Sequence, residues 1–250
     1  MIVLFTDFGW QGPYVGLLKL ALARHAPAVP VIDLLHDLPP FDARGAAYLL
    51  AAYVEEFPPG AVFVAVVDPG VGSDRAGLIL RADGRLLVGP DNGLLDRVAA
   101  RARQAEAWRI TWRPARLSAS FHGRDLFSPL AARLAAGTAP GRWATPVPLS
   151  LRDWPDDLAR IVYLDRYGNA MTGIRASALG PRTCLVVKGQ TLGRARTFSD
   201  LPPGQGFWYE NSSGLAEVAV NQGSAAEKFG LRPGDPFTVL GETFTGIRQR

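Results

Sequence analysis

Residues 61–72 read AVFVAVVDPGVG, an unbroken apolar run from Ala61 to Val67 followed by Asp68-Pro69-Gly70-Val71-Gly72. A strand apolar on both faces belongs inside a sheet covered on both sides, which is the habit of parallel, helix-flanked sheets. The polar turn begins where the strand stops. In such a sheet ligands bind beyond the carboxyl ends of the strands. Asp68 therefore marks a place for chemistry as well as the end of a core strand.

The neighbouring segments agree. Ile2–Phe8 is a short apolar run ending in Thr6-Asp7-Phe8-Gly9, and Tyr14–Arg24 carries Val15, Leu18 and Leu22 at helical spacing. Val29–Leu35 reads as the next strand. Asp42 is a good N-cap for a helix through Glu56, which Pro58-Pro59-Gly60 stops. Leu78–Arg81 and Leu86–Val88 flank Asp83-Gly84, a hairpin signal. Leu94–Arg103 is helical, and Ser128-Pro129 with Gly137 brackets a further helix. This alternation predicts a three-layer α/β domain with a mostly parallel sheet over residues 1–140.

From Gly137 to Trp154 the chain is proline-rich and aperiodic, so 141–158 reads as a linker. Short runs then follow at Arg160–Leu164, Thr183–Lys188, Gly206–Glu210, Leu215–Asn221 and Pro236–Leu240, separated by Gly, Pro, Asn and Asp. They predict a smaller all-β, barrel-like domain over 159–250.

Composition narrows the function classes. Hydrophobic residues make up 48% of the 250 and charged residues 20%, enough for a sizeable core. The net charge of +4 comes from scattered basic residues rather than a run, which argues against a nucleic-acid partner. No window approaches the roughly 20 apolar residues of a membrane span, and Met1–Gly9 reads as a strand rather than a signal peptide. A single cysteine, Cys184, allows neither a disulfide framework nor a thiolate zinc site. A reducing, cytoplasmic setting is the expectation.

Polar residues collect at strand ends: Asp7, then Asp68 to Arg75, then Gly89-Pro90-Asp91-Asn92-Gly93, then Phe121-His122-Gly123-Arg124-Asp125. Taken singly, most read as turns or caps. Their convergence favours a site. Gly70-Val71-Gly72 lacks the ending of a phosphate cradle, and there is no His-Glu-x-x-His or Gly-x-Ser-x-Gly. Two enzyme readings remain open from the residues. One is a metallohydrolase on Asp7, Asp68, Asp91, His122 and Asp125. The other is a metal-free site in which carboxylates hold ribose hydroxyls while an Asp–Arg–His set handles a water. In the second half, Asp165-Arg166-Tyr167-Gly168-Asn169 reads as a hairpin turn. Phe207-Trp208-Tyr209 suits core packing or stacking on a purine.

TDFG, VVDPGVGSDR, GPDNG, FHGRD, DRYGN and NSSG…EVAVNQGSAA, in this order across nearly the whole chain, resemble the S-adenosyl-L-methionine hydroxide adenosyltransferases. These enzymes are related to fluorinating and chlorinating enzymes acting on the same substrate. The resemblance implies attack of water on the ribose C5′ carbon of S-adenosyl-L-methionine, giving adenosine and methionine, with no cofactor and no metal. It implies a homotrimer with active sites between subunits. It assigns catalysis to Asp68, Arg75 and His122. In the mechanism expected on that basis, Asp68 and His122 accept hydrogen bonds from the water. It assigns substrate binding to Asp7, Phe8, Phe41, Asp165, Tyr167, Asn169, Asn211 and Ser212, with Asp7 on the ribose hydroxyls. Gly12 stands where many relatives carry an acidic residue, and Glu210 is a candidate to replace that charge. The halogenating relatives carry Tyr and Thr where this chain has Asp68 and Val71, and a carboxylate there repels a halide. A halogenase, a metal-dependent phosphohydrolase and a non-catalytic protein that binds adenosine or S-adenosyl-L-methionine are the alternatives.

Overall fold

The computed structural model describes residues 1–241; 242–250, the expected end of the second domain, lie outside the described residues. The chain divides into two compact units between Arg152 and Asp153.

The first unit opens with β1 (Ile2–Thr6), α1 (Tyr14–His25), β2 (Val31–Leu35), α2 (Ala43–Tyr53) and β3 (Val62–Val66). Asp42 caps α2 by accepting from the Gly45 amide at 2.9 Å, as its position suggested. β4 (Gly77–Ala82) and β5 (Arg85–Pro90) form the expected hairpin. Asp83 and Gly84 both sit at positive φ (45° and 80°), as a two-residue turn between twisted strands requires. α3 (Asp96–Arg101), β6 (Ala105–Ile110), α4 (Ser128–Ala135) and β7 (Ala144–Val147) complete the unit. One turn of π-helix, Gly123–Phe127, runs directly into α4.

The strands make one seven-stranded sheet in the order β2-β1-β3-β5-β4-β6-β7. The β2-β1-β3-β5 half pairs in parallel, whereas β4, β6 and β7 are added by antiparallel pairings. The sheet is therefore mixed, and the expectation of a mostly parallel sheet describes only its first half. The Asp83-Gly84 hairpin reverses the chain inside the sheet, and β6 and β7 build outward from it. β7 falls within the stretch that reads as a linker. It carries Pro146, which an edge strand tolerates because its amide need not join a ladder.

Every residue of β1 and β3 is buried. Alternate residues Ile2, Leu4, Val62, Val64 and Val66 pack with Leu18 and Leu22 of α1 and with Leu130 and Leu134 of α4. The intervening set, Val3, Phe5, Phe63 and Ala65, points the other way and is buried as well. That leaves α2 and α3, packed on each other, for the opposite face.

The second unit contains β8 (Leu158–Leu164), β9 (Ala170–Arg175), β10 (Cys184–Val187), β11 (Gln190–Leu192), β12 (Gly206–Glu210), β13 (Leu215–Val220), the short α5 (Ala225–Phe229) and β14 (Thr238–Leu240). They form two antiparallel sheets, β12-β13-β9-β8 and β11-β10-β14, over one core that includes Ile161, Leu185, Trp208 and Val218. Single bridges join the sheets at Arg160–Pro236 and Arg194–Trp208.

Gly89 of β5 shows how tightly the strands meet near the site. A Cβ on Gly89 would press into the Ala65 carbonyl of β3, a backbone atom that cannot swing aside. Gly89→Ala is expected to cost about 2 kcal/mol through overpacking, measured by urea unfolding against the wild-type chain.

Candidate active site

β1 and β3 are neighbours in register, with Thr6 opposite Val66. Their carboxyl ends therefore release Asp7 and Asp68 side by side. The Asp7 amide still donates to the Val66 carbonyl at 3.3 Å, so the first residue past the strand is held by the ladder. The Asp7 carboxylate accepts from the Phe41 amide at 3.0 Å. That contact comes from a strained residue: Phe41 has φ of 66° and its side chain is largely exposed. Burial raises the Asp7 carboxyl above its ordinary value, the Phe41 amide works against this, and the charge of Asp68 adds to the rise.

Asp68 is nearly buried. Its Oδ2 accepts from Arg75 Nη2 at 2.6 Å, and the same nitrogen lies 3.4 Å from His122 Nδ1. Arg75 is fixed in turn by donating to its neighbour's carbonyl at Ala76, and its guanidinium lies 5.6 Å from the Phe127 ring centre. Burial works against the charged form of both partners. It lifts the Asp68 carboxyl and lowers the Arg75 guanidinium, against the attraction between them. Burial and the Arg75 charge together hold His122 below the ordinary imidazole value, with Asp68 pulling the other way. Asp68 Oδ1 is buried beside the Gly70 amide and makes no hydrogen bond of normal geometry among the described residues.

A guanidinium only donates, so Arg75 fixes the tautomer of a neutral His122. Nδ1 must accept, which leaves the proton on Nε2. Nε2 is then the ring nitrogen with a hydrogen to donate.

A cavity of about 370 Å³ brings Asp7, Phe8, Phe41, Asp68 and His122 together. That volume lies in the range of small-molecule sites. Phe8, Tyr14 and Phe121 form an apolar wall, with ring centres 5.5–6.1 Å apart in edge and tilted contacts. Arg75 stands behind the cavity rather than lining it.

The structure also sorts the candidate metal ligands. Asp91 pairs with Arg152 at 3.4 Å, and Asp125 is clasped by Arg124 at 2.6 and 2.8 Å while accepting from the Ser118 amide. Among the described residues, no three His, Cys, Asp or Glu side chains converge in a way that could hold a metal ion.

One group escaped the sequence reading. His36 is completely buried between Thr6, at 2.7 Å from Nδ1, and Asp33, at 3.1 Å from Nε2. Lys19 holds the far side of Asp33 at 2.9 Å. The Thr6 hydroxyl also receives the Phe8 amide, and the Gly9 amide reaches the His36 carbonyl. This chain of bonds braces the turn that carries Asp7. A histidine one residue past a strand was the only signal for it.

The other candidates lie in the second unit. Asp165 accepts from the Tyr167 and Asn169 amides, both at 2.8 Å, and from Asn169 Nδ2 at 3.0 Å. The turn is thus self-bonded, and Tyr167 stands 77% exposed at its tip. Asn211 is buried: its amide donates to Glu217 at 2.7 Å and its oxygen accepts from the Ser213 and Leu215 amides. Ser212 is exposed beside it. Tyr209 donates to the other Glu217 oxygen at 2.8 Å, and burial raises the Glu217 carboxyl. Phe207 and Trp208 are core residues, with Trp208 donating to the Thr183 carbonyl, so they do not form a stacking face. Glu210 is paired with Arg194 at 3.1 Å.

Residues 2–143 match the SAM hydroxide adenosyltransferase N-terminal domain and residues 159–238 match the C-terminal domain. The chain belongs to the SAM hydroxide adenosyltransferase family. It is 39% identical to the (R)-S-adenosyl-L-methionine hydrolase of Thermus thermophilus, over 96% of this chain and 99% of that protein. It is 42% identical to the hydrolase of that name from Salinispora arenicola, over 94% and 95%. A crystal structure of a conserved protein from Thermotoga maritima superposes with a TM-score of 0.85 at 31% identity, covering 96% of this chain and all of that one. The halogenating branch of the family's relatives stands further off. A fluorinase from Actinoplanes is 24% identical over 55% of each chain.

Proposed function

We propose that this chain hydrolyses S-adenosyl-L-methionine at the ribose C5′ carbon, releasing adenosine and L-methionine. The observation that carries the reading is the Asp68–Arg75–His122 set, joined through one guanidinium nitrogen and opening on the same cavity as Asp7. It stands in a chain 39% and 42% identical to two (R)-S-adenosyl-L-methionine hydrolases across almost its full length. Following those relatives' names, the substrate is the epimer with R configuration at the sulfonium. Asp7 holds the ribose hydroxyls, Phe8 and Phe41 flank the nucleoside, and Asp165, Tyr167, Asn169, Asn211 and Ser212 bind the rest of the substrate.

The leaving group needs no acid, because the sulfonium becomes a neutral thioether when it takes the C5′–S electron pair. What remains is to hold a water in line with that bond and to take its proton. The Asp68 carboxylate accepts from the water, and His122 Nε2–H donates to the water oxygen. The second lone pair of that oxygen is then left for C5′. The C5′–O bond forms as the C5′–S bond breaks, and one water proton passes to Asp68 and then to solvent. The raised Asp68 carboxyl suits it to receive that proton. Arg75 is a positioning residue that keeps Asp68 ionised and sets the His122 tautomer.

The remaining parts of the reading are a homotrimer with the second unit of one subunit completing the cavity of the next, a cytoplasmic setting and a barrel-like second unit. Exposed Trp10, Tyr14, Phe41 and Tyr167 are suited to such an interface. The two bridges that join the second unit's sheets fit a closed barrel.

Incubation with the R epimer is expected to yield adenosine and methionine, with inversion at a chirally labelled C5′. Unaltered substrate after long incubation, or retained configuration, overturns the mechanism. Asp68→Ala and His122→Ala are expected to lower kcat by about 100-fold or more with a small change in substrate Kd. A loss confined to Kd would place them in binding instead. Because Asp68 must be charged and His122 neutral, kcat should rise with pH along a single acid limb. Arg75→Gln removes the charge that lowers the Asp68 carboxyl and repels the His122 proton, so it should move that limb to higher pH. Sedimentation should give three chains per particle.

A further inference from the structure

Away from the Asp7 cavity, a second cavity of about 490 Å³ opens between α1, α4 and the loop at residues 112–116. Its charge is one-sided. Five arginines line it, Arg24, Arg113, Arg116, Arg124 and Arg133, against a single carboxylate, Asp125. That carboxylate is already taken, clasped by Arg124 and by the Ser118 amide. Among the described residues, the other four arginines make no ion pair with a carboxylate. The polar contacts of Arg113 and Arg133 go to backbone carbonyls, at Trp112 and Pro129.

Arg133 is the most telling of them. Its guanidinium lies over Trp112 at 4.6 Å and Trp143 at 5.0 Å from the ring centres, half-buried and with no counter-ion among the described residues. Burial alone lowers it, and among the described residues no carboxylate compensates the cost. The field reaches His25 on the rim, which burial, then Arg133, then Arg24 hold below the ordinary imidazole value. Four uncompensated positive charges around one volume repel one another. The arrangement is maintained at a cost that an anion would repay. The remaining lining is apolar, from Leu17, Leu20, Pro114 and the edge of Trp112.

We propose that this cavity is a binding site for a phosphate-bearing small molecule of nucleotide size. Guanidinium forks match phosphate oxygens in pairs. Several forks converging from three elements suit a ligand with more than one anionic oxygen to share. The apolar side of the cavity accepts the uncharged part of an ester. The site is separate from the hydrolytic one and involves none of the residues assigned to it. The two are close along the chain, however: Arg124 lies over the ring of Phe121 at 5.0 Å, and Phe121 belongs to the wall of the Asp7 cavity.

Titration calorimetry of the full chain with ATP, tripolyphosphate and orthophosphate at physiological ionic strength tests the proposal, with citrate as the carboxylate control. Quenching of Trp112 and Trp143 fluorescence follows the same events. Saturable binding of ATP or tripolyphosphate, one per chain, is expected. Arg24→Gln combined with Arg116→Gln should weaken it at least tenfold. Both side chains are exposed, so the variant should keep the wild-type melting temperature and near-ultraviolet dichroism. Absence of binding by all three phosphate probes overturns the proposal, as does binding that the double variant retains. Citrate held as tightly as tripolyphosphate would show that the cavity reads charge alone, which overturns the phosphate assignment.

Discussion

The site depends on the in-register parallel pairing of β1 with β3. Both strands are buried on both faces, so neither can slip without moving its core residues. Because the register runs unbroken from Ile2–Val62 to Thr6–Val66, the two strands end together. Asp7 and Asp68 then emerge as neighbours on the rim of a hydrophobic core. Each carboxylate is lifted by burial, and the charge of Asp68 raises Asp7 further. Everything else near the rim answers that problem. Phe41 adopts positive φ to give its amide to Asp7, and Arg75 gives its guanidinium to Asp68. The Thr6–His36–Asp33–Lys19 chain braces the strand end beneath. Strain and buried charge persist here because the surrounding sheet leaves no alternative arrangement.

Much of this was legible in the sequence, because the decisive strands are the ones with nothing polar in them. Ala61–Val67 and Ile2–Thr6 declare themselves by composition alone, and Asp83-Gly84 declares its hairpin. The elements that were missed have mixed patterns. β6 reads AEAWRI, and its charged residues look like loop until Arg81 is seen lying over the Trp108 ring at 5.0 Å and pairing with Glu106. β7 was hidden by Pro146, which matters only in the sheet interior. β9, with Gly173 packed directly on Leu158, offers too little side chain for a strand signal.

The site residues divide in the same way. Asp7, Asp68 and His122 could be proposed because each follows a strand or sits in an aperiodic polar segment. Spacing could not reveal direction, and direction removed Asp91 and Asp125, whose carboxylates turn to Arg152 and Arg124. The tautomer of His122 likewise rests on a single donor nitrogen of Arg75 rather than on anything the sequence displays. The Glu217 carboxylate, with Tyr209 and Asn211 upon it, was hidden for a further reason. A buried Glu in LAEVAV looks like the exposed face of an alternating strand until Asn211 and Tyr209 are found closing over it.

In the proposed reading, the electrostatics of the Asp68 end explain the choice of nucleophile. The substrate arrives with a full positive charge on sulfur. As water attacks, that charge moves through C5′ onto the entering oxygen, which becomes an oxonium until its proton leaves. A carboxylate beside the entering oxygen therefore stabilises the transition state more than the ground state, which is what acceleration requires. For a halide the sign reverses. The entering atom is an anion that loses charge during attack, so the same carboxylate opposes its binding from the start and gains nothing as the reaction proceeds. Arg75 does not cancel this preference, since its Nη2 is spent on Asp68 Oδ2 and the His122 ring. One carboxylate, desolvated by the core behind it and held ionised by one arginine, thus favours a neutral nucleophile with a proton to lose over an anion without one.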